Sequence, residues 1–226
     1  MNKTNTENRY VQILSTGVHL EGIVSIPEDP QGLVVFVHGS GSSRHSPRNQ
    51  FVAHMLQEGR LATLLFDLLT PSEEEIDLRT RHLRFDIDLL ARRTAGVLEW
   101  LDLQPFAHDL KRGLFGSSTG AAAALMAAVE VPDKADAVVS RGGRPDLAGP
   151  ALSKVQVPTL LIVGSNDETV IDLNEEALDQ MQEGLEKKMV IVPGASHLFE
   201  EPGTLESAAQ LAGEWFQMHL NGVGVR

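Results

Sequence analysis

The chain has 226 residues, 42% of them hydrophobic and 22% charged, a balance that suits one soluble domain with a buried core. Its formal net charge of -12 argues against nucleic acid as a partner, because a phosphate backbone calls for a basic face. Zero cysteines remove disulfides, thiolate nucleophiles and cysteine-ligated metals, while a polar stretch at 1–9 and no apolar run near ~20 residues point to a cytoplasmic protein without signal peptide or membrane span.

Residues 10–14 and 19–26 alternate apolar and polar side chains around Ser15-Thr16-Gly17, the pattern of an antiparallel hairpin with one wet face. The runs that follow, 33–37, 61–66, 113–115, 137–139, 159–163 and 189–192, are short and continuously apolar. Such runs suit parallel strands covered on both faces. Between them lie helical stretches. Ser46-Pro47 caps one that carries Phe51, Val52, Met55 and Leu56. A stripe through Leu83, Ile87, Leu90, Thr94, Val97 and Leu101 predicts a long second crossover helix. Residues 173–181 and 205–220 predict two more. The acidic Ser72-Glu73-Glu74-Glu75 reads as a solvated loop or helix start, since no histidine or regular ligand spacing accompanies it.

The sum is an α/β domain over 1–226: an eight-stranded, mostly parallel sheet with an N-terminal antiparallel hairpin and helices on both faces. Residues 140–157, between the sixth and seventh strands, are too few for a cap domain. The site is therefore expected to be open or covered by loops alone.

Leu114-Phe115-Gly116-Ser117-Ser118-Thr119-Gly120 joins a short strand to a helix that opens with small residues. A G-x-S-x-G strand-to-helix corner exposes a serine hydroxyl above the sheet, and its glycines avoid collisions with the neighbouring strand and helix. The register selects Ser118, because the same offsets from Ser117 fall on Phe115 and Thr119. A serine hydroxyl needs a base, usually a histidine oriented by a carboxylate. The seventh strand runs into a loop bearing Asp167, and the eighth into a loop bearing His197. Both loops leave the carboxyl ends of parallel strands, where open α/β sheets build their sites. Glu168 and Asp172 are rival acids further from the strand end, and Asp167 itself could serve only as a turn cap.

The third strand ends in His38-Gly39-Ser40-Gly41-Ser42-Ser43. An oxyanion formed at an acyl carbon needs two backbone donors. Thr119 supplies one, and Ser40 the other, with Gly41 as the alternative and a candidate substrate contact. His38 is expected to brace the loop. Gly39-Ser40-Gly41 with Asp67 also resembles half a dinucleotide fingerprint, but Arg44 occupies the third glycine position. Arg44, His45, Arg79, Arg81, His82, Arg84, Arg141 and Arg144 form a basic set near the strand ends. They can attract an anionic substrate or pair with acids such as Asp77, Asp86 and Asp146; Arg141 and Arg144 are the candidate substrate-binding pair.

His38 to Ser43, Gly116 to Gly120, Gly164 to Asp167 and Gly194 to His197 together resemble the α/β-hydrolase superfamily, in its dienelactone-hydrolase-like branch. The resemblance implies Ser118 as nucleophile, His197 as base and Asp167 as acid. Dienelactone hydrolases proper use a cysteine nucleophile, so its absence here favours a serine esterase over a lactonase. Similar domains also occur fused to phosphoribosyltransferase domains. The expected function is a metal-independent carboxylesterase for small or unhindered esters, with no cofactor. The expected partner is a small-molecule ester, not nucleic acid or membrane, and the expected state is monomer or homodimer. An acyltransferase on the same residues, or a binding protein on a hydrolase scaffold, are the alternatives.

Overall fold

A computed structural model describes residues 6–222. The hairpin β1 (Glu7–Ser15) and β2 (Val18–Ile26) turns through Thr16 and Gly17, both at positive φ. That backbone twist matches the flanking strands of a two-residue turn. β2 then pairs antiparallel with β4 (Leu61–Phe66), which pairs in parallel with β3 (Gly32–Val37). The parallel register continues through β5 (Arg112–Ser117), β6 (Ala137–Arg141), β7 (Thr159–Gly164) and β8 (Lys187–Val192). The order across the sheet is β1-β2-β4-β3-β5-β6-β7-β8.

Side chains alternate across each strand, so one sheet feeds two cores. Leu33, Val35 and Val37 face α3 (Ile87–Leu101), α4 (Thr119–Glu130) and α5 (Glu168–Gln180). Val34 and Phe36 face α1 (Pro47–Glu58) and α6 (Thr204–Leu220). Burial of the central strands is complete, as their continuous apolar runs require. The run at 189–192 differs: β8 is the edge of the sheet, and Ile191 is 42% exposed. Lysines at its start protect that edge, and Lys187 donates to the carbonyls of Leu178 and Met181 at the end of α5.

The predicted helix through Leu83 is broken in two. A short 3₁₀ turn, Leu83–Phe85, precedes α3, and Asp86 accepts the amide of Leu89 to start the new helix. An aspartate at that position satisfies one of the free amides of a helix start. The acidic stretch at 72–75 belongs to α2 (Pro71–Thr80), where Thr70 and Glu73 form a capping box. Residues 145–154 fold as 3₁₀ turns packed on α4, kinked at Gly149.

Candidate active site

Ser118 sits at φ 50°, ψ -125°, between the end of β5 and the start of α4. An L-residue in this region is strained, and such strain is held only where the surroundings demand it. Here the surroundings are steric. A Cβ on Gly116 would lie 2.4 Å from Cα of Ala121, and one on Gly120 would lie 2.1 Å from the carbonyl oxygen of Val37. Both glycines therefore let α4 pack against β5 and the end of β3. The carbonyl of Ser118 accepts the amide of Ala121 and, from the loop after β6, the amide of Arg144 at 3.0 Å. That second bond ties the corner to a neighbouring strand's loop.

The loops after β7 and β8 are clasped together. Asn166 donates its amide to Ala195 and its side chain to the carbonyl of Gly194, while Ser165 accepts the amide of Gly194. The clasp requires Gly164, whose Cβ would fall 2.3 Å from the carbonyl of Ala195. It brings Nδ1 of His197 to 2.6 Å from Oδ2 of Asp167. Asp167 stands at the first turn of α5, yet its side chain makes no capping bond. With Nδ1–H donated to the carboxylate, Nε2 carries the lone pair. The His197 loop is braced by Glu201, which accepts the amide of Ser196; that hydrogen bond holds the carboxyl below its ordinary range.

Ser118 and His197 line one cavity of about 230 Å³, together with Ser40, Arg48, Asn49 and Arg141. The cavity shares Ser40, Ser42, Ser46 and Arg48 with a larger cleft of about 680 Å³, where Gly41 and Arg44 lie. Gly39 has no room for a side chain, since a Cβ there would meet Cβ of Ser118 at 2.9 Å. The amide of Ser40 donates to Oγ1 of Thr119 at 3.0 Å. A bound oxyanion would have to draw that N–H away from the threonine. Thr119 is the first residue of α4, so its own N–H has no partner within the helix. His38 acts as a brace: burial pushes its imidazole below the ordinary range, Nδ1 meets the carbonyl of Gly39, and Nε2 accepts the amide of Leu68.

Half of the basic set is paired with acids, Arg79 with Glu75 among them. Arg44 binds Asp67 and Glu21, Arg84 binds the buried Asp77, and Arg144 forms a two-pronged pair with Asp146 at 2.7 and 2.8 Å. Arg144 does not reach the cavity wall; its contribution there is the backbone bond to Ser118. The Arg44 pairing also occupies Asp67, the residue a dinucleotide ribose would need. Arg141 is different. It lines the cavity, and Nη2 donates to Oγ of Ser117 at 3.1 Å and to Oδ1 of Asn49 at 3.5 Å. Asn49 escaped sequence reasoning. Its one signal is a polar residue on the buried face of α1, in line with Val52, Ala53 and Leu56.

Among the described residues, no group of histidine and acidic side chains could hold a metal ion, and no helix is long and apolar enough to cross a membrane. Two Mycobacterium tuberculosis proteins that carry the provisional name phosphoribosyl transferase are 54% identical over 214 residues, 95% of this chain but 47% of their own length. The chain thus spans about half the length of these curated relatives. The crystal structure of a dienelactone hydrolase from Anabaena variabilis is 58% identical, with a TM-score of 0.93 over 95% of this chain and 99% of that one. Est1E from Butyrivibrio proteoclasticus shares the fold at 16% identity, with a TM-score of 0.75 over 92% and 98% of the two chains. A model of the dienelactone hydrolase family matches residues 20–219, and with the sheet order and these relatives it establishes that the chain belongs to that family of α/β hydrolases.

Proposed function

We propose that this chain is a serine hydrolase for carboxylic esters of small acyl groups, with Ser118 as nucleophile, His197 as base and Asp167 as acid. One observation carries the reading: the 2.6 Å pair of His197 and Asp167 opens on the same cavity as the strained Ser118 corner. Oγ of Ser118 attacks the ester carbon as Nε2 of His197 takes its proton. The amides of Ser40 and Thr119 receive the carbonyl oxygen as it gains charge. Collapse of the tetrahedral species expels the alcohol, which leaves with the proton held on Nε2. Water then repeats the sequence on the acyl-enzyme, giving up its proton to His197 and releasing the acid and the free hydroxyl of Ser118. The cavity volume favours short acyl groups, and the lack of cysteine favours simple esters over the lactones of cysteine-dependent relatives. The transferase name belongs to proteins about twice as long, of which this chain matches 47%.

Short p-nitrophenyl esters test the proposal. Wild type is expected to release free acid even with a competing alcohol present, and Ser118→Ala to lose nearly all turnover with its melting temperature preserved. Turnover that survives Ser118→Ala would refute it.

A further inference from the structure

β1 closes one side of the sheet, and the parity of the hairpin fixes which of its main-chain groups face outward. Ser15 and Val18 flank the two-residue turn and form the first pair of the hairpin. In such a hairpin that pair is hydrogen-bonded, and bonded pairs alternate with unbonded ones from there. Arg9, Val11, Ile13 and Ser15 therefore direct their N–H and C=O groups at β2, while those of Asn8, Tyr10, Gln12 and Leu14 point away from it. The next strand agrees. Glu21, opposite Gln12, turns its carbonyl away from β1 and accepts the amide of Asp67, just after β4. Among the described residues no strand lies beyond β1 to meet the outward groups.

The two open edges of the sheet differ in their protection. β8 begins with Lys187 and Lys188, whereas β1 carries no lysine, proline or bulge, and each of its residues pairs in turn with β2. Tyr10 is 82% exposed and Leu14 57% exposed. They share one face of the strand, with exposed Gln12 between them. Through Ile23 and Leu65 that face is the one on which α1 packs. Ala53 and Gln57 of α1 line a cavity with Ile23 and Ser25 of β2, and the helix leaves Tyr10 and Leu14 bare. Glu7 and Arg9, the only charges on β1, bind each other at 2.7 and 2.9 Å. The rest of the strand is neutral, in a protein whose net charge of -12 opposes self-association elsewhere.

We infer that β1 is a docking edge for β1 of a second copy of this chain, paired antiparallel about a twofold axis at Gln12. The register selects the occupant. With Gln12 opposite Gln12 of the second copy, Tyr10 faces Leu14 of that copy and Leu14 faces its Tyr10. All of these are residues whose main-chain groups point outward, and each pair of this kind exchanges two hydrogen bonds. An axis one residue to either side keeps the hydrogen bonds but opposes Tyr10 or Leu14 to Gln12. Aromatic-to-aliphatic contact across the strands therefore favours the axis at Gln12. A strand edge of this length falls short of the ~800 Å² per partner of a standard interface, so a dimer that dissociates in the micromolar range is expected. The pairing is independent of the hydrolase chemistry.

Sedimentation of the full chain over about 1 to 300 µM tests the pairing, and wild type is expected to shift from monomer toward dimer across that range. Tyr10→Lys with Leu14→Lys opposes lysine to lysine, and Tyr10→Glu with Leu14→Glu opposes glutamate to glutamate. Like charges directly opposite one another destabilise a strand pair, so each double variant should raise the dimer Kd by about tenfold or more. Both positions are exposed, and both variants should melt near wild type. An equimolar mixture of the two variants opposes lysine to glutamate and is expected to recover association. Because the chain has no cysteine, Gln12→Cys gives a single thiol at the axis. A short bismaleimide is expected to link that variant into a dimer, and to leave Ile191→Cys, on the β8 edge, monomeric. Wild type that stays monomeric throughout, a dimer unmoved by both double variants, a mixture that associates no more tightly than its components, or cross-linking of Ile191→Cys in place of Gln12→Cys would each overturn the inference.

Discussion

The imidazole of His197 and the carboxylate of Asp167 are 30 residues apart in the chain and 2.6 Å apart in space, held by loops that leave neighbouring strands. This pair defines which nitrogen of the histidine is available. Donating Nδ1–H to Asp167 turns Nε2 toward the remaining task. Asp167→Asn keeps the shape but offers the amide NH₂ or C=O in place of two acceptor oxygens, so the ring can settle in the other tautomer. The expected result is a fall in kcat of about 10³- to 10⁴-fold with KM little changed. A variant within a factor of a few of wild type would show that Asp167 does not orient the base.

The corner glycines make a separate, structural prediction. Gly120→Ala places a methyl group against the carbonyl of Val37, backbone that cannot rotate away. The strand and helix must part to accept it. Destabilisation of about 2–3 kcal/mol is expected, lowering Tm by roughly 4–12 °C. Because the displaced strand end leads into Ser40, ester turnover per folded molecule should fall as well. Thermal melts and active-site titration of the variant check both.

Acid stability should depend on Asp102. Burial opposes its ionisation, but hydrogen bonds from Lys134 and Arg112 outweigh that cost and hold its carboxyl below the ordinary range. A depressed carboxyl pKa stabilises the fold above the unfolded value of about 3.9, and the stabilisation is lost as pH falls through the folded value. Asp102→Asn removes one carboxylate partner of the buried Arg112 guanidinium. Since Asp102 is itself about one-third exposed, the cost is discounted for solvent to about 2–3 kcal/mol at pH 7. The gap in stability between wild type and variant should narrow as pH falls below about 4, and the range from pH 4 to pH 2 is where it is measured. A gap of constant size across that range would contradict the assignment.

The parts of the site that sterics impose are readable in the sequence. Gly116 and Gly120 mark Ser118 because the corner excludes side chains, and Asp167 and His197 follow strands whose apolar runs are plain. What stays hidden depends on distant partners. Arg44, Arg84, Arg141 and Arg144 look alike in the chain; only the fold gives three of them acids and leaves the fourth with Ser117 and Asn49, 24 and 92 residues away. The bond between the Ser40 amide and Oγ1 of Thr119 spans 79 residues and is equally invisible. Edge exposure of β8 and the break at Asp86 fail for the opposite reason. Apolar runs and helical stripes report burial and period, but not position in the sheet or the pull of a local cap.

The most direct measurement is labelling with a fluorophosphonate, followed by mass mapping of the modified peptide. Ser118 must be the labelled residue, and His197→Ala must slow its labelling severely while leaving the melting temperature near wild type. Modification at another serine, or rapid labelling of Ser118 without His197, would contradict the nucleophile and base assigned here.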